Sequence, residues 1–106
     1  MTQHYFNTVH QGDPITVLLG WEPKDISYFL VVERRAPAPD QDDYLYISPY
    51  GPNAPHQCLE HCRSLLQAFG IEVPASMYEQ AALDSQRPTG RRIASYAPDG
   101  SFQLLL

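Results

Sequence analysis

Two strongly β-favouring runs, separated by a short polar break, place the tightest constraint on the fold of this chain. The runs are TVLLGW and ISYFLVVE, at residues 16–21 and 26–33, and the break between them contains Pro23. β-Branched and aromatic residues suit a pleated, half-buried surface, whereas proline lacks the main-chain donor that a strand interior needs. We therefore predict a β-hairpin over residues 16–33, at the centre of a sheet.

The second strand of this hairpin is apolar on both of its faces. Side chains alternate along a strand, which places Ile26, Tyr28, Leu30 and Val32 on one face and Phe29 and Val31 on the other. A strand that is apolar on both faces is typical of a sheet interior that is covered on both sides. One face can be covered by helices of this chain. We expect the other face to be covered by the C-terminal hairpin, a second subunit or a partner protein, or by the sheet curling on itself.

Turn residues delimit the other strands. A Gly-Asp-Pro sequence at residues 12–14 and a Pro-Asp-Gly sequence at residues 98–100 both favour tight turns between strands. Residues 34–43 are rich in proline and aspartate, and we expect them to form an exposed, mobile loop. The predicted strands are residues 4–10, 15–21, 26–33, 44–48, 91–97 and 101–105.

Apolar residues at helical spacing indicate two helices between the fourth and fifth strands. Asn53 is a candidate N-cap for the first helix, Pro55 suits its first turn, and Gly70 suits its end. The second helix is predicted over residues 74–86. The apolar stripe of the first helix consists of Cys58, Leu59, Cys62, Leu65, Leu66 and Phe69. The elements together predict one α+β domain over residues 1–106: an antiparallel sheet, in the chain order ββββααββ, with the helix pair packed on one face.

Composition excludes some classes of function. The net charge is −5 and the pI about 5.1, which argues against nucleic-acid binding because phosphate contacts need clustered Lys and Arg. The chain has no apolar run long enough for a membrane span. Its N-terminal sequence lacks the features of a secretory signal, so we expect a cytoplasmic protein. Six of its seven basic residues are Arg, a bias associated with GC-rich bacterial genomes.

Candidate chemical groups are few, and each has a simpler structural interpretation. Cys58 and Cys62 are suitable zinc ligands, but both lie on the apolar stripe, which favours core thiols. His4 and His10 share a strand face but lie about 20 Å apart, so they cannot bind one ion, and we expect solvated or capping side chains. We therefore predict no catalytic residue, cofactor or metal site.

Two groups of residues remain as candidate contacts. One is a small basic cluster that can bind an anion, or can instead pair with nearby acids such as Asp84; it consists of Arg87, Arg91 and Arg92. The other is a set of aromatic residues of the kind enriched at interfaces, namely Trp21, Tyr44, Tyr46 and Tyr50. We expect Tyr44 and Tyr46 to share one strand face.

The resulting functional hypothesis is a small, acidic, bacterial-type interaction module without enzymatic activity. It would be a homodimer or would dock on another protein, with no nucleic-acid or membrane partner. The two-sided apolar hairpin and the aromatic residues support this hypothesis. The alternative is a small ligand-binding or minor enzymatic domain with a pocket between the helices and the sheet.

Overall fold

A computed structural model describes residues 1–51, 53–87 and 90–106. The chain forms a six-stranded sheet and two helices, which makes it an α+β protein. Neither helix of the described residues is long and apolar enough to span a membrane. The elements in chain order are β1 (Thr2–His10), β2 (Asp13–Glu22), β3 (Ser27–Arg34), β4 (Tyr44–Ile47), α1 (Leu59–Phe69), α2 (Ala75–Gln86), β5 (Arg92–Tyr96) and β6 (Phe102–Leu104).

The sheet is mostly antiparallel and has the strand order β4-β3-β2-β1-β5-β6. The exception is the pair β1 and β5, which is parallel, so the prediction of a purely antiparallel sheet was wrong. The two helices carry the chain back to the end of the sheet at which β4 finishes. Because β1 starts at that same end, β5 leaves it in the same direction as β1.

One face of the sheet packs against both helices. The alternation of buried and less buried side chains along β2 and β3 identifies this face, because every second residue is removed from solvent. The completely buried strand side chains meet a narrow apolar side of each helix, and this contact forms the hydrophobic core. Its members include Val17, Leu19, Leu30, Val32, Cys62, Leu66, Met77 and Ala81.

The first helix starts later than its sequence indicates. Its N-cap is Cys58, so the predicted start near Asn53 and Pro55 was wrong. Gln57 explains the delay, because its main chain is bound to the start of β3: its carbonyl accepts the Tyr28 N–H at 2.9 Å, and its N–H donates to Ser27. Gly70 ends the helix in the left-handed conformation, with φ of 74°, as predicted.

The opposite face of the sheet, called the open face below, is not covered by a helix in the described part of the chain. Side chains from five strands point towards it, namely Tyr5, Leu18, Phe29, Val31, Tyr44, Ile47 and Ile93. Among the described residues, helices cover β3 on one side only and the C-terminal hairpin extends the sheet, so cover of the other side by a second subunit or a partner stays a prediction. Phe29 covers a small part of the open face itself, because its ring lies over Gly20, its cross-strand partner.

Candidate functional site

A buried polar cluster joins α2 to β1 and β5. Asp84, near the end of α2, points into the protein, and its Oδ2 lies 2.6 Å from Nε2 of His4. The hydroxyl of Thr2 donates to the same carboxylate oxygen at 2.7 Å. On the other side of the imidazole, Nδ1 of His4 lies 2.8 Å from the hydroxyl oxygen of Tyr96. These four residues define the cluster, and all four are buried.

One arrangement of protons satisfies every atom of the cluster. With the His4 proton on Nε2, that nitrogen donates to Asp84 and Nδ1 accepts the hydroxyl of Tyr96. The Thr2 hydroxyl accepts the main-chain N–H of Trp21 while it donates to Asp84. Among the described residues, no buried side-chain nitrogen or oxygen lacks a hydrogen-bond partner. The cluster is therefore a closed network, which is the condition for a buried polar group to be tolerated.

The surroundings shift the pKa values of two cluster members in opposite directions. Burial acts to raise the pKa of Asp84, but the hydrogen bonds from His4 and Thr2, together with the charge of Arg92, outweigh it and lower this pKa. Burial raises the pKa of the Tyr96 hydroxyl to about 12, although the charge of Arg92 acts against the shift. Asp84 is therefore held as the carboxylate and Tyr96 as the neutral phenol.

The order carboxylate, imidazole, hydroxyl is also that of an acid–base relay. A relay needs a reacting atom within hydrogen-bond reach of the acid or base. Here Nε2 and Nδ1 of His4 are both occupied, and His4 is completely removed from solvent. None of the clefts described below is lined by His4, Asp84 or Tyr96. The geometry therefore supports a structural role, in which the cluster fixes α2 against the parallel pair of strands.

The sequence interpretation missed this cluster. The expectation of a solvated or capping His4 was wrong, because its side chain lies in the core beside Phe6 on the helix-covered face. One signal was present: Asp84 follows Met77 and Ala81 at helical spacing, so a carboxylate occupies the apolar side of α2. Its buried partners, Thr2 and His4, lie 80 or more residues away in the chain, and spacing alone cannot identify them.

The two cysteines lie in different environments. Cys62 is completely buried, and burial raises the pKa of its thiol to about 12, which leaves it protonated and unreactive. Cys58 is exposed at the start of α1, so the expectation of two core thiols holds for Cys62 alone. No group of three His, Cys, Asp or Glu side chains able to hold a metal ion occurs among the described residues.

The three candidate anion-binding arginines do not share one environment. Arg92 is half-buried, and its guanidinium donates to Gln80 at 2.7 Å and to Asp84 at 3.4 Å. Arg87 and Arg91 are exposed, and residues 88–89 between them lie outside the described residues. Arg92 thus belongs to the solvent side of the buried cluster. An anion contact at Arg87 and Arg91 stays a prediction.

The four candidate interface aromatics are spread over three places. Tyr44 is 43% exposed on the open face, whereas Tyr46 packs against Phe69 on the helix-covered face. They do not share a face as predicted, because a β-bulge shifts the register of β3 and β4 between them. Tyr50 is 87% exposed in the connection between β4 and α1. Trp21, like Tyr46, lies on the helix-covered face, where it is half-buried against Tyr28 with ring centroids 4.8 Å apart.

Several depressions lie outside the core. One of about 440 Å³ lies between β1 and the connection of the two helices, where Phe6, Thr8 and residues 70–74 line it. A cleft of about 470 Å³ opens beside the β2–β3 turn, at the rim of the sheet, and not between the helices and the sheet where the alternative hypothesis requires a pocket. Its lining includes Phe29, Tyr50, Glu22 and Asp25. A smaller depression of about 280 Å³ lies on the open face, lined by Tyr5, Thr16, Leu18, Val31, Glu33, Tyr44 and Ile47.

Compared with known proteins, the chain matches no family model, no curated protein and no solved structure.

Proposed function

We propose that this chain is a cytoplasmic, non-enzymatic interaction module that forms a homodimer by packing its open face against that of a second copy. The observation that carries the proposal is the set of large apolar side chains on a sheet face that no other described segment of the chain covers. Tyr44 and Ile47 are each 43% exposed there, and Leu18 and Val31 lie half-buried between them and β1. A contiguous apolar patch on such a surface marks an interaction site.

The area of the open face is of the size that a dimer needs. Six strands spaced about 4.8 Å apart, with central strands of 8 to 10 residues, give a face of roughly 600–700 Å². A standard interface buries about 800 Å² on each partner. The accessible surface of the chain is 6529 Å², whereas a compact monomer of this mass exposes about 6000 Å². The chain therefore exposes about 500 Å² more than such a monomer, which is about two-thirds of one side of a standard interface.

The distribution of charge also favours self-packing. Among the described residues, Glu22 and Glu33 are the only charged strand residues of the open face, and they lie near opposite ends of the β2–β3 hairpin. The centre of the face is uncharged, so packing two copies together removes no ionised group from water at the centre. The remaining negative charge of each copy repels weakly through solvent. Because salt screens this repulsion, we expect added salt to tighten the dimer.

The test is solution mass by light scattering over a wide concentration range, on the natural chain and three variants. Leu18→Lys and Val31→Lys place an ammonium group at the centre of the open face, and Leu83→Lys makes the same kind of change at an exposed position on α2. In a two-fold interface each substitution is present twice. We expect both face variants to raise the dissociation constant at least about 30-fold, and the Leu83 control to leave it unchanged.

Three outcomes separate the possibilities. A dimer that is weakened by the face variants and tightened by salt supports the proposal. A dimer that is indifferent to Leu18→Lys and Val31→Lys places the contact elsewhere on the chain. A monomer at all concentrations contradicts self-packing and leaves another protein with a matching apolar face as the partner to seek.

A second candidate function is the binding of a small molecule in the rim cleft. Its volume of about 470 Å³ falls within the usual range for ligand sites. Phe29 and Tyr50 offer aromatic faces, and Glu22 and Asp25 offer carboxylates, a combination that suits an organic ammonium ion. Benzylamine titrated into labelled protein should shift the amide signals of Glu22 and Phe29 saturably, and Glu22→Gln should weaken the effect. No saturable shift at millimolar amine would remove this candidate.

A further inference from the structure

The outer strand β6 has main-chain groups that face away from the sheet. Its inner side pairs with β5: the Ala97 N–H donates to the Ser101 carbonyl, and the Leu105 N–H donates to the Ile93 carbonyl, each at 2.8 Å. Bonded and non-bonded residues alternate along an antiparallel pair. The N–H and carbonyl groups of Phe102 and Leu104 therefore point outwards, where the described residues place no further strand.

This edge has only one of the usual protections against strand pairing, namely its short length of three residues. Proteins protect sheet edges with charges, prolines, bulges or covering segments. Residues 101–106 contain no charged side chain and no proline, and Phe102 and Leu104 are 40% and 56% exposed. The opposite edge strand, β4, differs, because it follows Asp42 and Asp43 and its pairing with β3 contains a bulge. The two edges of the sheet are thus built differently.

We propose that β6 pairs antiparallel with β6 of a second copy, about a two-fold axis at Gln103. In this register Phe102 lies opposite the partner's Leu104, and Leu104 lies opposite the partner's Phe102. Both are residues whose main-chain groups point outwards, so the two strands exchange four hydrogen bonds. The sheet then continues through the interface as twelve strands.

The side chains make a second copy the appropriate occupant. Phe102 and Leu104 lie on the helix-covered side of the sheet, opposite Tyr96 and Ala94, and the rings of Phe102 and Tyr96 are 5.2 Å apart. The two-fold register creates two identical aromatic–aliphatic pairs across the strands, a favourable combination. No like charges approach one another, because residues 101–106 carry none of the charged side chains of the chain.

This contact uses a different surface from the open-face dimer and does not depend on it. The axis at Gln103 runs perpendicular to the sheet, so both open faces of the pair lie on the same side. The open-face axis lies parallel to the sheet. If the two axes intersect, the contacts together generate a tetramer of four 12.0 kDa chains with 222 symmetry, in which two continuous sheets pack face to face.

The test is residue-resolved amide hydrogen exchange by NMR over a range of protein concentrations. In the monomer the amides of Phe102 and Leu104 are open to solvent and exchange fast, whereas pairing protects both. We expect their exchange to slow at least about tenfold with rising concentration. Leu104→Pro removes one outward donor and keeps the inner ladder, so it should raise the dissociation constant about tenfold or more. Leu83→Lys is the matched control.

The outcomes distinguish the two contacts. The Leu18→Lys variant has a disrupted open face. If both amides of this variant become protected with rising concentration, the edge contact forms without the open-face contact. Exchange that stays fast at both amides at millimolar protein overturns the edge proposal, whether or not the open-face dimer forms. Phe102→Lys provides a second edge variant if Leu104→Pro does not fold, because lysine on an edge strand opposes pairing without removing a donor.

Discussion

Replacement of Asp84 by asparagine tests whether the buried cluster holds the helix layer on the sheet. Asparagine has nearly the same shape, and its amide oxygen can still accept from His4 and Thr2, but it carries no charge. A hydrogen bond to a charged group contributes about 1.5–3 kcal/mol, against about 0.5–1.5 kcal/mol for a neutral one. Two weakened bonds, at 2.6 and 2.7 Å in the natural chain, give an expected loss of about 2–3 kcal/mol of unfolding free energy.

Asp84→Ala should cost more, because it leaves the buried His4 without an acceptor. Each buried donor left without an acceptor, on His4 and on Thr2, costs about 1–3 kcal/mol, and the two together are a large part of the 5–15 kcal/mol typical of a whole domain. Chemical denaturation followed by circular dichroism measures both losses, and the melting temperature should fall by about 10 °C or more for asparagine. Glu79→Gln, which removes an exposed carboxylate from the same helix, should change stability by less than about 0.5 kcal/mol.

A double-mutant cycle assigns the effect to the contact. His4→Asn and Asp84→Asn should together cost about 0.5–3 kcal/mol less than the sum of their separate losses, since each removes the same interaction.

The pH dependence adds an independent check. Because the pKa of Asp84 is lowered below its ordinary value of 3.8, its contribution is fully present above that pH and is lost as the pH falls further. The difference in unfolding free energy between the natural chain and Asp84→Asn should therefore close below about pH 3.8. A loss no larger than that of Glu79→Gln would refute the reasoning.

Three further predictions concern single positions. Cys58 should react with a thiol reagent in the native protein, whereas Cys62 should react only after unfolding. Equal labelling rates of the two thiols in the native protein would contradict the burial of Cys62. Gly20→Ala should destabilise the protein by about 1–3 kcal/mol, because its Cβ would overlap the Phe29 ring and the Thr2 carbonyl oxygen. Urea denaturation measures this loss of unfolding free energy. Gly12→Ala is the comparison, because its Cβ meets no neighbouring atom although the residue has a positive φ. Because the pKa of Tyr96 is raised to about 12, the natural chain should lose stability between pH 10 and 12 more steeply than Tyr96→Phe. If unfolding free energy falls in parallel with pH in the two proteins, the phenol is not buried.

Local sequence patterns predicted the α+β class, the β2–β3 hairpin and the end of α1, because each depends on neighbouring residues. The hairpin follows from two β-favouring runs and Pro23, and Gly70 ends α1 through its own conformation. The start of α1 was not predictable in this way. Gln57 stays extended because it binds residues of β3, which lie about 30 positions earlier in the chain.

Contacts between distant segments account for the remaining differences. The parallel pairing of β1 with β5 and the cluster of His4 with Asp84 both join parts of the chain separated by 80 or more residues. The faces of Tyr44 and Tyr46 depend on a single bulge, which reverses the direction of each later side chain. Alternation alone therefore placed the two tyrosines on one face, although the strand register separates them.

The buried cluster and the proposed edge contact are connected through β5. Tyr96 belongs to β5, and its hydroxyl bonds to His4 while its ring packs against Phe102 of β6. The cluster thus fixes β5 beside β1, and β5 in turn positions the outer strand. Tyr96→Phe keeps the ring contact and removes only the hydroxyl, so it should lower stability but preserve the concentration-dependent protection of the Phe102 and Leu104 amides. Tyr96→Ala removes both contacts and should abolish that protection even under conditions where the variant remains folded. Equal protection in the two variants would show that β6 is positioned independently of the Tyr96 ring.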